Sequence, residues 1–235
     1  MSIAFDTSGG LAGTASGTGG SFNLSAAATG AWCYCFIHVP SATETSVTFT
    51  GWTLLAEADD PNIGEHFSIF RRQKQAGDTT QTFSFPSSST SLARWVSYTG
   101  LDGTTPNTSI TFAANVLVKN SGAFTTATPS VTNPSALNWA LGCFAQRTST
   151  SGNKAITWTP DAAMTERSDN NLSAGVTTNW SGIEIADTNA TVSAAAHSYT
   201  ATANFSETHG FGSLFYLIPP TALTNTGGFM DFFPI

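Results

Sequence analysis

The chain is predicted to be all-β, with antiparallel strands stacked as a sandwich or closed as a barrel, and three observations carry that expectation. Short runs of β-branched and aromatic residues recur along its 235 residues, each bounded by Gly, Pro, Asn, Asp or Ser. Apolar and polar residues alternate in Ser46-Val-Thr-Phe-Thr50, Thr82-Phe-Ser-Phe85 and Ile183-Glu-Ile185, as on strands with one face buried. No segment shows a convincing helical period.

In order, strands are expected near 2–6, 21–27, 31–39, 45–50, 52–58, 66–74, 80–85 and 92–99. Further strands are expected near 109–118, 136–146, 154–158, 181–186, 192–205 and 211–218. Trp32 to Val39 and Trp139 to Phe144 are nearly continuous apolar runs, the pattern of central strands covered on both faces. The Gly/Ser/Thr stretch from Ser8 to Ser21 reads as a long surface loop between the first strand and the core. Asp161 to Arg167 has the composition of one turn after Pro160, and Val192 to His197 is rich in small residues without an amphipathic stripe. Residues 1–220 are therefore expected to form a single domain, followed by a short extension over 221–235.

That extension is unusual for a chain terminus, where residues are usually polar and frayed. A spacer ending in Gly227-Gly228 leads into Phe229, Met230, Phe232, Phe233 and Ile235. Such a segment either packs back on its own sandwich or anchors onto a neighbouring subunit or partner.

Hydrophobic residues make up 40% of the chain, with 17 Phe and 6 Trp, enough apolar area for a substantial core. Eight Lys and Arg stand against 15 Asp and Glu, a net charge of −7. Few cations make a poor nucleic-acid binder, because phosphate neutralisation needs clustered Lys and Arg. The one basic cluster, Arg71-Arg72-Gln-Lys74, is too small to alter that. The most apolar run, Leu214 to Ile218, has the length of a strand and falls well short of a bilayer span. Neither nucleic acid nor membrane is an expected partner.

Cys33, Cys35 and Cys143 sit in apolar runs and read as buried free thiols. With His38 they offer zinc-ligand types, but the C-x-C pair shares one strand and lacks the turn geometry of a zinc site. Asp59-Asp60-Pro-Asn62 and Ser168-Asp-Asn-Asn171 are oxygen-rich, and turn chemistry explains both without calcium. No metal and no cofactor are expected.

No G-x-S-x-G elbow is present, and His38, His66, His197 and His209 join no recognisable triad. Glu57, Asp59, Asp60, Glu65, Glu184 and Asp187 lie near strand ends, where acids are ordinarily solvated, so no catalytic carboxylate pair is expected. The chain is not expected to be an enzyme. Trp32, Trp95 and Trp139 fall within apolar runs and read as core. Trp52, Trp158 and Trp180 lie near turns and read as exposed, and Trp52 and Trp180 are candidates for stacking on host surface glycans.

Several segments together resemble a jelly-roll family found among minor capsid, decoration and tail proteins of tailed bacteriophages. They are Gly51-Trp-Thr-Leu-Leu55, Ile69 to Asp78, Ala93 to Pro106, Met164-Thr-Glu-Arg167, Val192 to His197 and Phe211 to Pro219. Within them Tyr98-Thr-Gly-Leu-Asp-x-x-x-Pro106 weighs most, as a central strand ending at Gly100 and entering a turn at Asp102-Gly103. The resemblance spans residues 1–220 and implies an antiparallel jelly-roll β-sandwich. It implies a virion structural protein, first a capsid decoration or minor capsid protein that binds the outside of the head and stabilises it. The expected partners are the major capsid protein and further copies of the chain, as a trimer or dimer. A tail or baseplate protein and a carbohydrate-binding adhesin are the alternatives. The opening Met1 to Gly10 lacks the basic and apolar regions of an export signal, which fits assembly in the host cytoplasm onto a virion surface.

Overall fold

Two five-stranded antiparallel sheets pack against each other in the computed structural model, which describes residues 2–40, 46–60, 65–102, 111–115, 123–148, 156–171, 180–204 and 209–220. At residues 11–16, 60, 111–115, 124, 147–148, 171, 180 and 209–210 the description covers the backbone alone. The strands run β1 (Ala4–Asn23), β2 (Trp32–Val39), β3 (Thr53–Asp60), β4 (Glu65–Gln73), β5 (Thr80–Thr99), β6 (Thr111–Asn115), β7 (Phe124–Ala127) and β8 (Val131–Thr132). After them come β9 (Trp139–Thr148), β10 (Trp158–Pro160), β11 (Thr165–Asn171), β12 (Trp180–Asp187), β13 (Ala196–His197), β14 (Thr200–Ala203) and β15 (His209–Leu217).

The first sheet has the order β1-β5-β2-β4-β3 and the second β11-β12-β9-β15-β6. Each main sheet thus comes from one half of the chain. Two small sheets, β10-β14-β7 and β13-β8, complete the ladders. Among the described residues no helix is long and apolar enough to cross a membrane. The architecture is an all-β antiparallel sandwich, as the strand pattern predicts.

The apolar runs are explained by three cores rather than one. On β2, Tyr34 and Phe36 enter the core between the main sheets, while Cys33, Cys35, Ile37 and Val39 enter a second core on the outer face. Phe22, Phe49, Trp52, Phe70 and Phe83 close that second core. On β9, Leu141, Cys143 and Ala145 face the other sheet, while Ala140 and Phe144 join a third core with Trp158, Tyr199 and Tyr216. Because side chains alternate along a strand, a strand covered on both faces must be apolar at every position. The central strands are so covered.

The Ser8 to Ser21 stretch is corrected: it lies within β1, a 20-residue edge strand paired along the whole of β5. Two of its glycines serve close backbone approach. A Cβ on Gly10 (φ 153°) would stand 2.3 Å from the Ala93 carbonyl oxygen, and one on Gly19 (φ 155°) 2.2 Å from that of Phe83. Only glycine tolerates both positions, and register shifts break the ladder between Leu11 and Gly19. Residues 46–50 form a single bridge, Thr48 to Ser84, instead of a strand. The span 192–205 divides into β13 and β14. Ser168-Asp-Asn-Asn171 belongs to β11 and is no loop. After Pro160 the chain makes one turn, with the Ala163 N–H donating to Asp161 Oδ1, before β11 begins.

Candidate functional site

The residues singled out as partner contacts, Phe229, Met230, Phe232, Phe233 and Ile235, lie outside the described residues. The described residues end at Pro219-Pro220, beside an apolar ledge. There Leu137 is 64% exposed, the most exposed large hydrophobic residue among those described. Ile3, Trp139, Pro219 and Pro220 line a depression on one side of it, and Pro134, Ile218 and the same two prolines line a depression on the other.

Trp52 is corrected from exposed to buried: it is 8% exposed, stacked on Phe49 at 4.6 Å, and its indole N–H donates to Gln81 Oε1 at 3.0 Å. Its ring therefore has no free face for a sugar. Trp158 is likewise buried, in the third core. Trp180 opens β12, and its side chain is outside the description. The basic cluster is engaged internally. Arg71 lies over the Trp32 ring at 4.0 Å, Arg72 pairs with Asp78 at 2.6 Å, and Lys74 Nζ donates to the Gln75 carbonyl.

The cysteines are buried and free. Cys33 and Cys35 face the second core and Cys143 the inter-sheet core, so Cys33, Cys35, Cys143 and His38 do not converge. Burial, with a smaller push from Asp6, raises the Cys33 thiol to about 12, and burial holds Cys35 and Cys143 well above 9.0. All three stay protonated at neutral pH.

A polar cluster missed by motif reading sits between the sheets at one end. His38 Nδ1 is hydrogen-bonded to Ser181 Oγ, and His38 Nε2 stands 3.5 Å from Glu65 Oε2. All three residues are buried, so a Ser-His-Glu set is present without an open face for substrate. What it does is tie β2 to β12 across the core. Beside it, His66 bridges Asp59 at 2.6 Å and Ser68 at 3.1 Å.

The acids expected to be solvated give the sharpest departure. Glu65, Glu184 and Asp187 are all buried. Asp187 is fully partnered. Its carboxylate accepts from Tyr98 Oη at 2.6 Å, from Arg167 Nε at 2.8 Å and Nη2 at 2.9 Å, and from the Asn189 N–H at 2.8 Å. Arg167 also lies over the Phe5 ring at 4.4 Å. Burial, then the Asp187 carboxylate, holds the Tyr98 hydroxyl well above its usual 10.0.

Glu184 is the opposite case, with neither carboxylate oxygen hydrogen-bonded. It pairs across the ladder with Phe144 on one side and Asp169 on the other. Glu166 completes a trio in which one carboxylate oxygen from each residue lies within 4.8 Å of the other two. Glu166 and Asp169 are three apart, which on a regular strand puts them on opposite faces. The β-bulge between Glu166 and Ser168 resets that phase and brings both to the Glu184 face. Burial pushes the Glu184 carboxyl from 4.5 up to about 10, with Glu166 and Asp169 adding repulsion. Asp169 rises to about 6 through burial, opposed by the Trp158 N–H that it accepts at 3.1 Å. No spacing rule could have found this trio, because a bulge is invisible in the residue order.

With the fold and these clusters in view, no family model, no curated protein and no solved structure matches the chain.

Proposed function

We propose that the protein is a structural component of a bacteriophage virion, a capsid decoration or minor capsid protein that binds the outside of the head. The reading rests on the ordered motifs from Gly51 to Pro219 and on the fold class; the jelly-roll kinship stands on the motifs and not on the strand order. The observation that carries the mechanism is the apolar ledge around Leu137, beside Pro219-Pro220 where the described residues end. The ledge, and the apolar residues of 221–235 by their composition, offer apolar area to the major capsid protein or a second copy of the chain. Binding then draws on apolar area removed from water, about 25 cal/mol per Å², less the cost of association.

The test is deletion of residues 221–235, alone and with Leu137→Asp, followed by sedimentation with purified heads. The shortened chain is expected to keep its β-sheet circular dichroism and lose head binding. Unchanged decoration of heads would overturn the reading, and labelling on the tail of intact virions would replace it with the tail or baseplate alternative.

A further inference from the structure

We propose that Glu166, Asp169 and Glu184 form a binding site for a hard divalent cation, calcium in the first instance, between the edge strand β11 and its neighbour β12. The inference is independent of any virion role. Three carboxylates offer oxygen ligands only, the donor set of calcium and magnesium rather than of zinc or copper. Two oxygens on one calcium ion, each about 2.4 Å from it, stand at most about 4.8 Å apart. Taken in pairs, one oxygen from each of the three carboxylates meets that limit. Magnesium, with bonds of about 2.1 Å, a strict octahedron and a tightly held water shell, is the harder ion for such a site to hold.

Acidic residues gather on many surfaces without an ion, so the cluster alone is not the argument. The argument is Glu184. Its side chain is wholly buried, both oxygens lack a hydrogen-bond partner, and one of them points into the trio. Leaving a carboxylate so placed is costly unless a cation or a proton accompanies it. Asp169 is prepared in the same sense. The Trp158 N–H holds its Oδ2, while Oδ1 is buried and unpartnered. The charge of Arg94 reaches Asp169 and favours its ionised form, while Arg94 Nε donates to Ser168 Oγ at 2.7 Å. Glu166 is exposed and gives the site its opening to solvent. Water and bidentate carboxylates supply the remaining ligands of a six- to eight-coordinate ion.

Bound there, the ion cross-links β11 to β12 and stabilises the sheet edge. The full-length protein, stripped with EDTA and dialysed, is titrated with calcium chloride and with magnesium chloride while thermal unfolding is followed. Calcium at a hundredfold excess over its Kd is expected to raise Tm by roughly 5–10 °C, and magnesium by less. Glu184→Gln, which keeps the shape and removes the charge, is expected to abolish the shift. Glu166→Gln, at an exposed position with no bearing on folding, is expected to weaken calcium binding at least tenfold by calorimetry. No calcium-dependent shift in the wild-type protein at 10 mM would overturn the proposal, leaving Glu184 as a protonated acid. A shift that survives in both variants would overturn it too, by placing the ion elsewhere.

Discussion

Asp187 and Glu184 lie three residues apart on β12, both fully buried, and their surroundings could hardly differ more. The odd positions Ile183, Ile185 and Asp187 face the inter-sheet side, where Tyr98 reaches across from the first sheet and Arg167 from the adjoining strand. The even positions Glu184 and Ala186 face the third core, beside Phe144 and Trp158, where cover is mainly apolar. One step of strand alternation therefore decides whether a carboxylate finds four donors or none. A buried charge is tolerable with partners, and without them it must take up a proton or a cation. The first acid fixes the packing of two sheets. The second is left over by the fold, and such a residue points to a ligand.

The largest expected effect comes from breaking the satisfied site. Asp187→Ala strands the Arg167 guanidinium, largely buried, and leaves the Tyr98 hydroxyl without its acceptor. Removing one partner of a buried ion pair costs about 3–5 kcal/mol, read as a lower urea midpoint. A loss below about 1 kcal/mol would put Asp187 on a par with a surface acid and dissolve the contrast. Next in size, and opposite in sign, is Glu184→Met in calcium-free buffer. Replacing an unpartnered buried acid by an apolar side chain beside Phe144 is expected to gain about 2 kcal/mol. That corresponds to a Tm roughly 4–8 °C higher. A destabilised Glu184→Met protein would mean that the acid has a protein partner after all.

Much of the scaffold could be read from residue order, for a physical reason. Trp32 to Val39 and Trp139 to Phe144 announce central strands because both faces are covered, and burial is written at every position. β1 could not be read this way. Gly10 and Gly19 are there for close backbone approach to β5, a partner some 57 to 95 positions away, and local composition carries no trace of that pairing. Trp52 misleads for a similar reason, since a residue next to a turn is still buried when Gln81 and Phe49 come over it. The acids of β12 were hidden more deeply. Ile183-Glu-Ile185 shows the alternation, yet its polar face suggests solvent, and only the cover supplied by β10 and β14 makes that face a core. The partner-binding residues proposed in 221–235 fall outside the described residues, so their part in the site rests on composition and on the ledge at which the segment begins.

The smallest expected effect tests the satisfied half of the comparison by pH. Tyr98 keeps its proton in the folded protein past the point, about 10, at which it ionises in the unfolded chain. The folded state then binds more protons, so the contribution of Tyr98 is full below about pH 10 and is lost as pH rises through the higher folded value. Phe5 and Tyr34 pack edge-on against the Tyr98 ring, and Asp187 with Arg167 meets its hydroxyl, so no solvent relieves the phenolate. Tyr98→Phe removes this titration along with one hydrogen bond, at a cost of about 1 kcal/mol near neutrality, since Asp187 keeps its three other donors. The wild-type Tm should therefore fall more steeply above pH 10 than that of Tyr98→Phe, with the two curves converging. Parallel curves would show that the alkaline loss comes from elsewhere, and that the Tyr98–Asp187 bond is not what separates this carboxylate from Glu184.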